Sequence, residues 1–272
     1  MNQLVGERLS IITPKAQTTR HRILGIVNKE DWQIVFSDTP GFIDEPGYEL
    51  HNAMNVAVLE SLEDADVLLI LIDATSPALP DALTVALQRF ELPIAVVINK
   101  VDLVQSTAIT AIENHWKETL PSASQFHIVA TKGYGLAEVT QYILQGIPEH
   151  PPYFPKDQLT DRTERFFVAE IIREKILEQY RQEVPYSVEV EVNAFKEEAK
   201  LTRIEAFIYV NRKTQKPIII GKGGQSIKKL GTAARLAIEE WLQQKVFLEL
   251  HVKVREKWRE DDNVLRQFGY PK

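Results

Sequence analysis

The sequence predicts two units of unlike architecture: a doubly wound, mostly parallel α/β sheet, then a smaller α+β unit. Three observations carry this. Apolar runs without alternation (ADVLLILIDA, PIAVVINKVD, FHIVATKG) are interleaved with amphipathic stretches through the first half, the pattern of strands buried on both faces. The stretch GIPEHPPYFPKDQLTD then gathers Pro148, Pro151, Pro152 and Pro155, which reads as a stiff linker. Beyond it, YSVEVEVNAF, KLTRIEAFIYVNR and VFLELHVKVR alternate with period two, as strands with one wet face do. The predicted bounds are 1–147 for the first unit, 148–160 for the linker and 161–272 for the second, a division that suits 272 residues.

In order, WQIVFSD is a short strand ending in a turn. Helical periodicity follows over 50–62, 81–90, 108–120 and 136–144, between the three apolar strands. Thr160 to Thr163 offer helix-start chemistry before the long helix RFFVAEIIREKILEQYRQE. After two alternating strands, IIIGKGGQSIKKLGTAARLAIEEWLQQK reads as an apolar approach, a glycine turn and helices, and VFLELHVKVR closes the chain's last sheet.

Composition narrows the chemistry. There is no cysteine, which excludes disulfides and thiolate metal sites. The first residues show no signal-peptide pattern, and the longest apolar run, VLLILI, is far short of the roughly 20 residues a membrane span needs. A cytoplasmic chain is expected. Net charge is −6 but unevenly placed. Residues 1–200 hold 17 basic and 30 acidic side chains, a net of −13; residues 201–272 hold 15 and 8, a net of +7. The second unit is therefore the one suited to a polyanion.

Four motifs carry chemistry. Asn99-Lys100-Val101-Asp102 follows a buried strand. A carboxylate there can accept from guanine N1–H and the exocyclic amine, whereas adenine would leave Asp102 unpaired at about 1–3 kcal/mol per missing bond. Asn99 can brace the loop, and Lys100 can lay its stem over the base. The same residues also suit a plain strand-end turn. Asp38-Thr39-Pro40-Gly41 could hold Mg²⁺ through Asp38 and admit a phosphate at Gly41, or could be a simple turn. Its place in the α/β unit, before NKVD, favours the first reading. Gln17-Thr18-Thr19-Arg20-His21 is a polar stretch in which a threonine hydroxyl could complete Mg²⁺ coordination, or merely be solvated. Gly221-Lys222-Gly223-Gly224 is a GxxG turn opening a helix, within a stretch from Arg212 to Arg235 that has seven basic residues and no acidic one. Such a loop clamps a nucleic-acid backbone in KH domains. It is not a Walker A loop, since Gly223 stands where Ser or Thr belongs. The six histidines show no metal-ligand spacing.

Together KAQTTRHRI, DTPG, NKVD, YFPKDQLTDR and IIIGKGGQSIKKLG resemble the Era family of bacterial GTPases over nearly the whole chain. The resemblance implies a P-loop GTPase unit joined to a type II KH domain, binding GTP/GDP with Mg²⁺ and hydrolysing GTP slowly. It implies RNA as partner, near the 3′ end of small-subunit ribosomal RNA, and a role in small ribosomal subunit assembly. A cytoplasmic monomer with some peripheral inner-membrane association is expected. By motif, Gln17, Thr18, Thr19, Arg20 and His21 would form switch I. Asp38, Thr39, Pro40, Gly41 and Phe42 would form switch II, with Thr19 and Asp38 at the metal. Asn99, Lys100, Val101 and Asp102 would read the base, and Val129, Ala130 and Thr131 would close over it. Ile220, Gly221, Lys222, Gly223, Gly224, Lys228 and Lys229 would meet RNA. No catalytic base is implied.

Two departures stand out. Val129 occupies a position that is usually serine, leaving the Ala130 amide to serve the base. In the family, GxxxxGKST leads into a Leu-Asn-x-Leu-x-Gly-x-x-x-Ser pattern; Asn2, Leu4, Gly6 and Ser10 match its end, and no GxxxxGK[ST] occurs in the 272 residues. The expectation is that these residues begin inside the family's first unit, that its central strand is lacking, and that they bind GTP weakly. The alternatives are a module that works through RNA alone, and a GTPase with an unrelated basic domain.

Overall fold

The computed structural model describes residues 1–13, 15 and 17–271. Ala16 of the KAQTTRHRI motif, Pro14 and the terminal Lys272 lie outside the described residues. The first unit opens with a short helix α1 (Asn2–Val5) and a hairpin, β1 (Ile23–Asn28) and β2 (Gln33–Asp38), paired antiparallel from Ile23↔Asp38 to Asn28↔Gln33. Helix α2 (Glu49–Glu63) follows, then β3 (Leu68–Asp73), α3 (Asp81–Leu87), β4 (Ile94–Asn99), α4 (Ser106–Thr119), β5 (Ser124–Ile128) and α5 (Leu136–Gly146). Strands β3, β4 and β5 form a parallel sheet in that order.

Strand β4 explains why the sheet forms. Five of its six residues are buried, as a central parallel strand requires. One face packs Ile70, Ile72, Val96 and Ile98 against Leu87, Ile112 and Trp116 of α3 and α4. The other packs Ala95, Val97 and Ile128 against Val139 and Ile143 of α5 and against Ile34 of the hairpin. Strands β2 and β3 share no ladder; the hairpin and the parallel sheet stay separate. Leu71 on β3, in an otherwise apolar strand, is 62% exposed.

The second unit comprises α6 (Glu164–Gln179), β6 (Val188–Glu198), β7 (Leu201–Val210), α7 (Lys216–Ile220), α8 (Gln225–Leu242), β8 (Val246–Val254) and α9 (Asp262–Gln267). β7 is central, antiparallel to β6 and parallel to β8. Its inward residues Ile204, Ala206, Ile208 and Val210 pack on Ile172 and Ile176 of α6 and on Leu230, Ala234 and Ile238 of α8. Their outward neighbours stay partly exposed, so the period-two reading holds.

Four features differ from expectation. β1 is a strand where the sequence pattern suggested no element, just after the polar motif, and it makes the first unit part antiparallel. Pro217-Ile218-Ile219-Ile220, read as an apolar approach with no assigned element, is helical: Pro217 occupies the first helical turn, where its missing N–H is harmless. The proline-rich segment is a strap. Ile26 N–H donates to Leu159 O at 2.8 Å, Leu24 N–H to Asp161 Oδ1 at 3.0 Å, and Gln33 exchanges side-chain bonds with the backbone of Phe154. The C-terminal residues cross back: Trp258, Val264, Leu265 and Tyr270 bury against Leu50 and Met54 of α2.

Candidate functional site

The carboxyl ends of β3, β4 and β5 bring Asp73, Asn99 and the loop after Ile128 to one edge of the sheet, where open α/β sheets bind ligands. Asn99 Oδ1 accepts from the Lys100 amide at 2.8 Å and the Ala130 amide at 3.0 Å, so it ties the NKVD and Val129-Ala130-Thr131 loops together. Lys100 takes φ +61°, and its Nζ reaches Asp73 Oδ2 at 2.5 Å. Asp73 also accepts from the Thr75 amide and hydroxyl. Partial burial would raise the Asp73 carboxyl, but the bonds from Lys100 and Thr75 hold it below the usual range. Asp102 is bonded to Lys132 Nζ at 2.7 Å, and this contact lowers its carboxyl.

These residues fit a guanine. Asp102 is a part-exposed carboxylate, and the Ala130 N–H, bonded here to Asn99 Oδ1, would have to be shared with a base. Val101 and Asp102 sit in a single 3₁₀ turn that fixes their spacing. Asp73 and Lys132 were not anticipated. Lys132 could have been noticed three residues after Val129, which lacks a hydroxyl with which to orient Asp102.

Asp38 ends β2 and accepts from Ser10 Oγ at 2.5 Å. Thr39 and Phe42 are half-buried and Pro40 is buried. Gly41 is exposed; a Cβ there would meet nothing within 4 Å, so nothing inside the chain demands glycine. Among the described residues no group of three His, Cys, Asp or Glu side chains is placed to hold a metal. Mg²⁺ is usually held by one or two protein groups plus phosphate oxygens, and Asp38 and Thr19 would suit that minor share.

The QTTRH segment is placed against the second unit. Thr18 O accepts from Arg173 Nη2 at 2.5 Å, and the Thr18 hydroxyl meets Thr13 Oγ1. Gln17 takes φ +55° and Thr19 is half-buried. Arg20, 2% exposed, donates to Val188 O at 2.7 Å and to Tyr186 O at 3.1 Å, with Glu189 at 3.4 Å. His21 stacks on Tyr270 at 4.2 Å and meets the Phe166 ring edge-on. Burial pushes its imidazole down to about 3, with Glu170 opposing.

The GKGG loop joins α7 to α8. Gly221 has φ +73°, and a Cβ there would lie 2.2 Å from Ser226 Oγ, so only glycine fits. Gly223 (φ +58°) and Gly224 (φ +77°) also take left-handed backbone, with open space around them. Lys222, Lys228 and Lys229 are exposed, and among the described residues none has a carboxylate within 4.0 Å. Ile220 is half-buried beside the loop. Lys213 and Arg235 of the same basic stretch are paired with Glu256 and Glu239. Gly221 N–H donates to Pro217 O and Gly224 N–H to Gly221 O, so among the described residues it is the Lys222 and Gly223 amides, with the unpaired lysines and a small apolar edge, that could meet an RNA backbone.

A cluster of strand-end loops on an α/β unit, joined to an α-β-β-α-α-β unit with a GxxG loop, defines a GTPase-type domain joined to a KH domain. A family model described as a 50S ribosome-binding GTPase matches residues 1–100, and a KH-domain model matches residues 183–259. GTPase Era of Carboxydothermus hydrogenoformans is 41% identical over 274 residues, covering 99% of this chain and 92% of that protein. The chloroplastic GTPase ERA-like protein of Arabidopsis thaliana is 42% identical over 275 residues, covering 99% of this chain; the chain spans only 64% of that relative's length. Among solved structures, Aquifex aeolicus Era bound to GDP.AlF4- superposes with a TM-score of 0.92 at 39% identity, covering 100% of this chain and 93% of that one. Era in complex with MgGDPNP and a stretch of 16S ribosomal RNA superposes at 0.93 with 38% identity and the same coverage. The chain belongs to the Era family.

Proposed function

We propose that this protein binds small-subunit ribosomal RNA through its KH loop and takes part in small ribosomal subunit assembly, with GTP binding and hydrolysis as its switch. The loop carries this reading: its three positive-φ glycines fold it so that, among the described residues, the Lys222 and Gly223 amides have no backbone partner, beside the exposed Lys222, Lys228 and Lys229. Asn99, Asp102 and the Ala130 amide would hold guanine. Asp38 and Thr19 would hold Mg²⁺, which neutralises phosphate charge when bound. Gln17 to His21 and Asp38 to Phe42 are the segments that would respond to nucleotide. Cytoplasmic residence, a monomeric state and peripheral inner-membrane association belong to the same reading. No described helix is long and apolar enough to cross a membrane.

Equilibrium binding tests this reading. RNA binding should be lost in Gly223→Asp, whose left-handed backbone an aspartate tolerates while its charge repels phosphate. Unchanged RNA affinity overturns the loop assignment.

A further inference from the structure

The C-terminal end of α6 touches both the switch-like segment and the GKGG loop. Lys15 Nζ donates to the carbonyls of Leu177 and Tyr180, the latter at 2.6 Å. Leu177 O is one of the carbonyls that a helix end leaves without an internal partner, and a lysine there also complements the helix dipole. From the same turn, Tyr180 Oη donates to Ile219 O at 2.7 Å, a bond buried within the second unit. Gln179 Nε2 donates to Ser226 O at 2.9 Å. Ile219 lies two residues before Gly221, and Ser226 two residues after Gly224. The two side chains therefore grip both flanks of the loop, while the backbone of the same turn is gripped by Lys15. One turn earlier, Glu174 accepts from Arg8 and from the Ile12 amide.

We propose that Gln179 and Tyr180 are positioning residues for the GKGG loop, and that Lys15 controls them, so that the placement of Lys15 sets the shape of the RNA-contacting loop. The inference rests on the RNA reading of that loop. Its physical basis is contiguity. A rearrangement that withdraws Lys15 exposes two carbonyls at the α6 terminus and loosens the turn that carries both side chains. Spatial contiguity alone does not establish coupling, so the test is a thermodynamic cycle.

Amide hydrogen exchange on the whole protein supplies it, with affinity for a single-stranded RNA oligonucleotide measured in parallel. Tyr180→Phe removes the hydroxyl that donates to Ile219 O and accepts from Gln179 Nε2 at 3.3 Å, and Lys15→Met removes the ammonium while keeping the stem. Each should speed exchange of the amides over residues 221–227 several-fold and weaken RNA binding by a similar factor. The double variant should be little worse than either single one, and Lys15→Arg should restore the wild-type pattern. The proposal is overturned if Lys15→Met speeds exchange only over residues 177–182 and leaves 221–227 unchanged, or if the two effects simply add. Should the wild-type protein bind no RNA, the reading of the loop fails, while the exchange pattern still decides whether Lys15 positions it.

Discussion

Two stretches assigned to one nucleotide site live in opposite surroundings. The NKVD and Val129-Ala130-Thr131 loops bury Val129 but present their charged groups to solvent: Lys100 is about half exposed and Lys132 more so, bonded to Asp73 and Asp102. The QTTRH stretch is partly buried, with Arg20 and His21 enclosed by α6, β6 and the C-terminal Tyr270. Exposed ion pairs contribute little to stability and exchange readily for a ligand's groups. Buried charges held by several partners are costly to break. The base-reading loops are thus ready to trade partners, whereas Arg20 and His21 hold the two units together. A change in switch I must either leave those two residues in place or loosen the domain interface.

The largest effect is expected at the seam. Arg173 is fully buried, bonded to both oxygens of Glu170 and to Thr18 O. Arg173→Met strands the Glu170 carboxylate and should lower unfolding free energy by about 3–5 kcal/mol in urea titration. A loss under about 1 kcal/mol would show that the seam is peripheral to stability.

Next comes the base site. Asp102→Ala should weaken GDP binding by roughly 5- to 150-fold, the equivalent of about 1–3 kcal/mol, as read by saturation-transfer NMR at high ligand concentration. Folding should be untouched, because Asp102 is partly exposed. Equal binding by wild type and variant would remove Asp102 from the site.

The seam also carries a pH signature. His21 is depressed to about 3 by burial, with Glu170 opposing and Arg173, Arg162 and Arg20 adding to the depression. Its ordinary value is 6.5, so between these values the unfolded chain binds a proton that the folded one excludes. Stability should therefore fall as pH drops below 6.5, by up to about 1.4 kcal/mol per pH unit. Glu170 is itself held below its ordinary 4.5 by Arg173 despite its burial, so its own loss begins below that value. Between 6.5 and 4.5, His51, also lowered by burial, adds to this slope and Glu189, raised by burial, opposes it, so His21's share is the difference between wild type and variant. His21→Phe should flatten the denaturation profile there; an unaltered slope assigns the acid sensitivity elsewhere.

The smallest effect is expected at Lys132→Ala, which removes one exposed ion pair and should leave the melting temperature unchanged. A drop of several degrees would mean that the base loops are structurally braced.

Much of this was legible in the sequence, for identifiable reasons. Strands β3 and β4 announce themselves by unbroken apolar runs, β7 by alternation, and the base loop by Asn99 and Asp102 at a strand end. β1 was hidden because ILGIVN is short, broken by Gly25, and adjoins a polar motif. α7 was hidden because three consecutive isoleucines suggest extended chain, while Pro217 fixes a helical start. The seam was illegible in principle. Arg20 and Val188 are separated by 168 residues, and no local pattern reports a partner at that distance. The basic asymmetry of residues 201–272 was visible in charge counts, but that Lys213 and Arg235 are paired while Lys222 is not required coordinates.

The central claim is that the seam welds the nucleotide-type unit to the KH unit. Differential scanning calorimetry of the intact protein tests it most directly. A single cooperative transition, with equal calorimetric and van't Hoff enthalpies, is the predicted result, and Arg173→Met should split it into two. Two independent transitions in the unmodified protein would contradict the account.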